Sequence, residues 1–187
     1  MFSQHLILLM LFAASACAHA GNTDSASAPA LREELLRLKA EDQALRSRET
    51  ISLNDLVAVD EKNTARLKEI VAQYGWPTKS MVGDDGALAA WLLAQHADRD
   101  PPFQLLVLDL MEKLISSGEV NPANYAYLLD RTHRPQIYGT QGTCASPGKW
   151  TPREIESPEF VDDRRASVKI NPVKLSEYIE LVSKLCK

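Results

Sequence analysis

The sequence predicts a mainly α domain of six to seven helices with one small β-hairpin in its C-terminal third. Three observations carry this. Helix starts are marked again and again by a capping residue or by an Asp, Asn or Ser followed by proline; leucines recur at helical spacing; and only 135–141 and 149–155 have strand character. The 187 residues are 45% apolar and 25% charged, which excludes collagen-like, disordered and multi-span membrane classes. A single domain of this size removes about 70% of its unfolded surface from water, enough to form a core without metal. With 21 Lys and Arg against 25 Asp and Glu, there is no basic excess to neutralise phosphates, and no nucleic-acid partner is expected.

Residues 1–20 contain no Lys, Arg, Asp or Glu, and Leu6 to Ala14 form an apolar run too short to span a bilayer. This reads as a secretory signal peptide. Two processing routes stay open. Ala18-His19-Ala20 offers cleavage before Gly21, whereas Ala14-Ser15-Ala16-Cys17 resembles a lipobox, which would leave residues 1–16 as the signal and make Cys17 a lipidated first residue. In both cases residues 21–30 form a tether, residues 31–187 a single helical domain, and the location is the periplasm or cell envelope, with an outer-membrane lipoprotein as one form. Membrane attachment is expected only through Cys17. Setting Cys17 aside leaves Cys144 and Cys186, an even pair in an oxidising compartment, and a disulfide is the natural expectation.

The elements follow in order. Leu31, Leu35, Leu38 and Leu45 make one stripe of a first helix running to Glu49. Ser52 with Asp55 opens a second helix or helix pair that reaches Tyr74, where Gly75 stops it and Trp76-Pro77 prevents continuation. A third covers Asp85 to Ala97. Asp100-Pro101-Pro102 starts a fourth, closed by Gly118, and Asn121-Pro122, Ser157-Pro158 and Asn171-Pro172 each look like a cap followed by proline at the first helical position. The strands are Pro135–Gln141 and Lys149–Ile155, separated by a Gly/Ser/Pro segment that holds Cys144.

Several polar residues stand where core residues are due. Asp42 interrupts the first leucine stripe, so it is either paired at the edge of the core, with Arg46 one turn away as partner, or part of a site. Asp60 and Asn63 precede Leu67 and Ile70 on one face, a weak signal because Asp and Asn also serve as caps. His96 near a helix end either complements the helix dipole or acts as a general acid/base. Strand alternation would put Gln136, Tyr138 and Thr140 on one face with Ile137, Gly139 and Gln141 on the other. Such a face suits directional recognition, and Gly139 marks a bulge or a close approach. Arg164-Arg165 after Asp162-Asp163 reads as a solvated, self-paired charge run. No nucleophile-elbow, zinc-protease or phosphate-loop motif is present, and of four histidines two lie in the signal. No metal and no cofactor are expected.

The segments Asp42-Gln43, Asp60-x-x-Asn63, Tyr74-Gly75-Trp76-Pro77, Gln95-His96-Ala97-Asp98, Tyr125-Ala126-Tyr127-Leu128-x-Asp130-Arg131, Gln136-x-Tyr138-Gly139-Thr140-Gln141 and Val161-Asp162-x-Arg164-Arg165 together resemble a bacterial family catalogued only as a domain of unknown function. The likeness covers about Leu31 to Leu185 and implies an exported, mostly helical domain without a transferable activity. The loop around Cys144 and the short Thr132-His133-Arg134 connection depart from it. By analogy of size, location and lack of catalytic motifs, the leading functional expectation is a non-enzymatic periplasmic binding protein, an immunity or inhibitor protein. It would bind a protein partner with the Tyr138/Gln141 ribbon and adjacent helix, through Asp42, Arg131, Gln136, Tyr138, Thr140 and Gln141. The alternative is a hydrolase-like envelope enzyme in which His96, oriented by Asp98 or Asp130, is the general base, with Asp42 and Arg131 holding substrate.

Overall fold

The computed structural model describes residues 27–187, so the signal peptide, Cys17 and most of the tether lie outside the described residues. Among the described residues seven helices follow one another: α1 (Ser27–Arg46), α2 (Leu53–Tyr74), α3 (Lys79–Gln95), α4 (Pro101–Ile115), α5 (Pro122–Thr132), α6 (Val161–Ser167) and α7 (Leu175–Ser183). An antiparallel hairpin, β1 (Gly142–Ser146) and β2 (Lys149–Pro152), sits between α5 and α6. The mainly α architecture with one hairpin in the C-terminal third is therefore the observed one. Among the described residues no helix is long and apolar enough to cross a membrane.

The local punctuation works in α2 to α5. Ser52, Thr78, Asp100 and Asn121 each accept a hydrogen bond from a first-turn backbone N–H of α2, α3, α4 and α5 respectively. Gly75, at φ 74°, closes α2 by donating to the Val71 carbonyl. Two boundaries differ from expectation. α1 begins at Ser27, inside the expected tether, and α3 begins at Lys79 because Thr78 caps a short helical piece that Gly83 then breaks at φ 75°.

α1 lies along α3, with α2 against both and α4 and α5 closing the far side. Leu35 and Leu38 of α1 meet Leu67 and Ile70 of α2, Ala89 and Leu93 of α3, Val107 and Met111 of α4 and Leu128 of α5 in one core. Each fully buried leucine or isoleucine contributes roughly 1.5–3 kcal/mol, so the α1 stripe docks that helix on the core. A file of edge-to-face rings, Trp91–Tyr127–Tyr178–Trp150, with centroids 6.1, 6.3 and 5.7 Å apart, runs from this core through α7 to β2. The Cys144–Cys186 disulfide joins β1 to the end of α7. Two further bonds hold the same seam, Gly148 N–H to the Cys186 carbonyl and Trp150 N–H to Ser183 Oγ.

The strand expected over 135–141 is not formed. Its N–H groups at Ile137, Tyr138 and Thr140 all go to the Asp130 carboxylate (2.7, 2.9 and 2.9 Å), which curls the segment into a loop and leaves only an isolated bridge from Gln136 to Ile155. The first strand is instead the segment that contains Cys144. Gly139 has φ 68°, and a Cβ there would come within 2.8 Å of Leu175, so the close approach expected at this glycine is made by α7. The Ser157-Pro158 and Asn171-Pro172 steps do not cap helices. Ser157 makes no capping bond and leads into a short 3-10 turn at Pro158–Phe160, while α7 starts later, at Leu175.

Candidate functional site

Three helices converge on Asp42. It stands on the buried stripe of α1, 1% exposed, and accepts from His96 Nδ1 at the end of α3 (3.0 Å), from Arg46 Nε one turn along α1 (3.1 Å) and from Gln43 Nε2 (2.7 Å). Arg46 also bonds Asp60 of α2. Asp42 is thus both the ion-paired residue expected from the Arg46 spacing and the partner of His96. Asp98 and Asp130, the partners expected from sequence, do not touch His96.

The Asp42 carboxylate fixes a proton on Nδ1, so whenever the ring is neutral Nε2 is its acceptor nitrogen. Nε2 makes no hydrogen bond among the described residues, and His96 lines a cavity of about 460 Å³. Asp60, Thr64, Ala65 and Lys68 of α2 form one wall, and Arg99 and Asp100 of the α3–α4 turn form another. Lys68–Asp100 (2.6 Å) and Arg99–Glu61 (2.8 Å) ion pairs strap the two walls together.

Asp42, Asp60 and His96 bring one ligand atom each within 4.8 Å of one another, the one such group among the described residues. Its members lie 18 and 36 residues apart along the chain, too far for any local spacing to signal the group. The Arg46 guanidinium already bonds both carboxylates and supplies the cation they require, so an acid–base network fits these residues better than a metal site. Asn63, one turn along α2 from Asp60, is 2% exposed with neither amide atom hydrogen-bonded among the described residues.

Burial alone would raise the Asp42 carboxyl, but hydrogen bonds from His96 and Gln43 and the charges of His96 and Arg46 outweigh it and hold it below the ordinary carboxylate range. A depressed folded value contributes stability above the unfolded pKa that is lost as pH falls through the folded one. Asp42→Asn is therefore expected to make stability depend less steeply on pH on the acid side, read as urea midpoints across an acidic pH series.

The other expected site residues group elsewhere. Asp130 is fully buried beneath the 137–140 loop, where its carboxylate also accepts from Thr140 Oγ1 (2.9 Å). Gln136 and Thr140 are 1% and 5% exposed, so the recognition face expected of them is not at the surface. The Gln136 amide bridges the Gln141 and Arg153 carbonyls, both at 2.9 Å. Tyr138 and Gln141 are half-buried. Arg131 pairs with Asp98 (Nε–Oδ1 2.6 Å) and bonds Gln141 (3.3 Å).

The expected charge run at Arg164-Arg165 is not solvated. Arg165 is fully buried and donates to the Val173, Tyr138 and Pro172 carbonyls (2.7, 2.8 and 2.7 Å) with its guanidinium over the Tyr178 ring. Arg164 bonds the Ile137, Glu156 and Ser157 carbonyls. One sequence signal for Arg165 existed, because it follows the buried Val161 by four and shares its face.

Fold and site together define a class: a helical domain with an imidazole on the wall of a cavity, backed by a buried carboxylate. Within that class the chain belongs to a family of unknown function (DUF6624), whose model matches residues 29–186. No curated protein and no solved structure matches the chain.

Proposed function

We propose that the chain is an exported cell-envelope protein whose helical domain is a hydrolase-like enzyme with His96 as general base. The observation that carries this is the 3.0 Å Asp42–His96 pair, with His96 among the residues that line the cavity. Asp42 holds the ring and stabilises the imidazolium, and Nε2 takes the proton from an attacking water, while Lys68 and Arg99, paired with Asp100 and Glu61, shape the cavity wall. A buried amide without partners at Asn63 costs about 1–3 kcal/mol, which supports a region shaped by more than packing. The disulfide supports an oxidising compartment. Mass spectrometry of the mature N-terminus separates a chain starting at Gly21 from one acylated at Cys17.

The decisive experiment is a screen of ester, phosphoester, amide and glycoside substrates with the mature domain. Any turnover found is expected to fall about 10²–10⁴-fold in His96→Gln with the fold intact. Undiminished turnover in that variant would end the general-base reading.

One observation favours the non-enzymatic binding protein of immunity or inhibitor type. Leu105 and Leu106 of α4 are 57% and 49% exposed, and Leu105 borders a cleft holding Arg131, Arg134 and Arg153, a mixture of apolar and guanidinium groups found at protein interfaces. On that reading, capture of a periplasmic partner is abolished by Leu105→Glu/Leu106→Glu and untouched by His96→Gln.

A further inference from the structure

We propose that the cleft beside Leu105 is a binding site for a small dianion bearing carboxylate or phosphate oxygens, separate from the His96 cavity. The cleft has a volume of about 330 Å³, and its walls come from the α3–α4 turn, the start of α4, the end of α5 with the segment that follows it, and Arg153 just after β2. Asp98 is its one acidic lining residue against Arg131, Arg134 and Arg153. In a chain of net charge −4 such a convergence is not the background composition.

The three arginines are not equivalent. Arg131 has its guanidinium occupied by Asp98 and Gln141. Arg134 and Arg153 make no ion pair among the described residues, which leaves two planar forks free to take oxyanions in bidentate fashion. Burial pulls the Arg153 guanidinium below its ordinary value, the charges of Arg134 and Arg131 pull it further, and only Asp98 opposes them. An anion in the cleft relieves that mutual repulsion.

The frame is rigid where it needs to be. Arg153 N–H donates to the Gln141 carbonyl (2.9 Å), and the Arg153 carbonyl accepts from buried Gln136. Gln136 is thereby a positioning residue, fixing where Arg153 leaves the backbone. The turn from His96 to Asp100 is the partition between the two cavities, giving His96, Arg99 and Asp100 to one and Asp98 to the other.

Calorimetric titration of the mature domain with inorganic phosphate and with succinate, at constant ionic strength, tests this. The expected result is saturable 1:1 binding of at least one, weakened tenfold or more by Arg153→Gln or by the exposed Arg134→Gln, and unchanged by His96→Gln. A response equal to that of chloride, or equal in both arginine variants and the wild type, overturns the site. Phosphatidylglycerol vesicles separate the two sources of a phosphate. A free ligand predicts that glycerol phosphate binds in solution and displaces any vesicle-bound protein; pelleting that glycerol phosphate does not compete overturns the small-ligand assignment. Circular dichroism verifies the fold of each variant, and exposed Arg134 keeps the test open should Arg153→Gln fail to fold.

Discussion

Asp130→Ala is expected to destabilise the protein by about 3–5 kcal/mol, the range for removing one member of a buried charged network. The carboxylate is fully buried and collects the N–H groups of Ile137, Tyr138 and Thr140 together with the Thr140 hydroxyl. Without it three backbone donors lose their acceptor inside the fold, each at roughly 1–3 kcal/mol before relaxation admits water. The opposite edge of the same loop is held by Arg165, which takes the Tyr138 carbonyl. A carboxylate on the N–H edge and a guanidinium on the C=O edge thus grip one strip of backbone from both sides. Asp130→Asn keeps the shape but turns an amide nitrogen toward donors, so an intermediate loss is expected. Urea unfolding measures both, and a loss below about 1 kcal/mol for the alanine variant would mean that the loop holds its shape without Asp130.

Replacing Cys144 and Cys186 by serine is the second large effect. The bridge closes a loop of 42 residues, for which chain entropy gives about 4 kcal/mol. The loss has a place as well as a size. α7 meets the rest of the domain through β2, the Gly148–Cys186 and Trp150–Ser183 bonds, Tyr178, and Leu175, which packs on Gly139 and donates its N–H to Asp162, whereas α1 to α5 share the main core. Hydrogen exchange is expected to quicken first in β1, β2 and α7 and to stay slow in α1 and α3. Uniform acceleration along the chain would sink this division.

What the sequence could disclose follows the range of each interaction. α1 to α5 were legible because leucine stripes, side-chain caps and the Gly75 stop act within a few residues. The segment 135–141 was not, since its alternation resembles a strand while its donors are claimed by Asp130, a residue on the preceding helix. Ser157-Pro158 and Asn171-Pro172 carry the composition of helix starts, yet Arg164 and Arg165 take the Ser157 and Pro172 carbonyls for the 137–140 loop's support. Asp42 was visible as a charge in an apolar stripe, and so was its pairing with Arg46. Its bond to His96 spans 54 residues, and the nearer acids Asp98 and Asp130 are better candidates by spacing alone. Asp60 was discounted as a cap, although it lies well inside α2 and completes the Arg46 network.

The file of aromatic rings from Trp91 to Trp150 makes the domain its own optical probe. The three tryptophans occupy different regions: Trp76 in the core, Trp91 at the head of the file and Trp150 on the hairpin, its indole packed over Gly142. Near-ultraviolet ellipticity arises from rings held at fixed angles, so each coupling in the file contributes only while its two elements stay docked. Mild reductant therefore has a spectral signature, in which the Trp150 band fades and its emission shifts red while the Trp76 band persists. Whether the hairpin is docked at any moment becomes something a cuvette can read without a label.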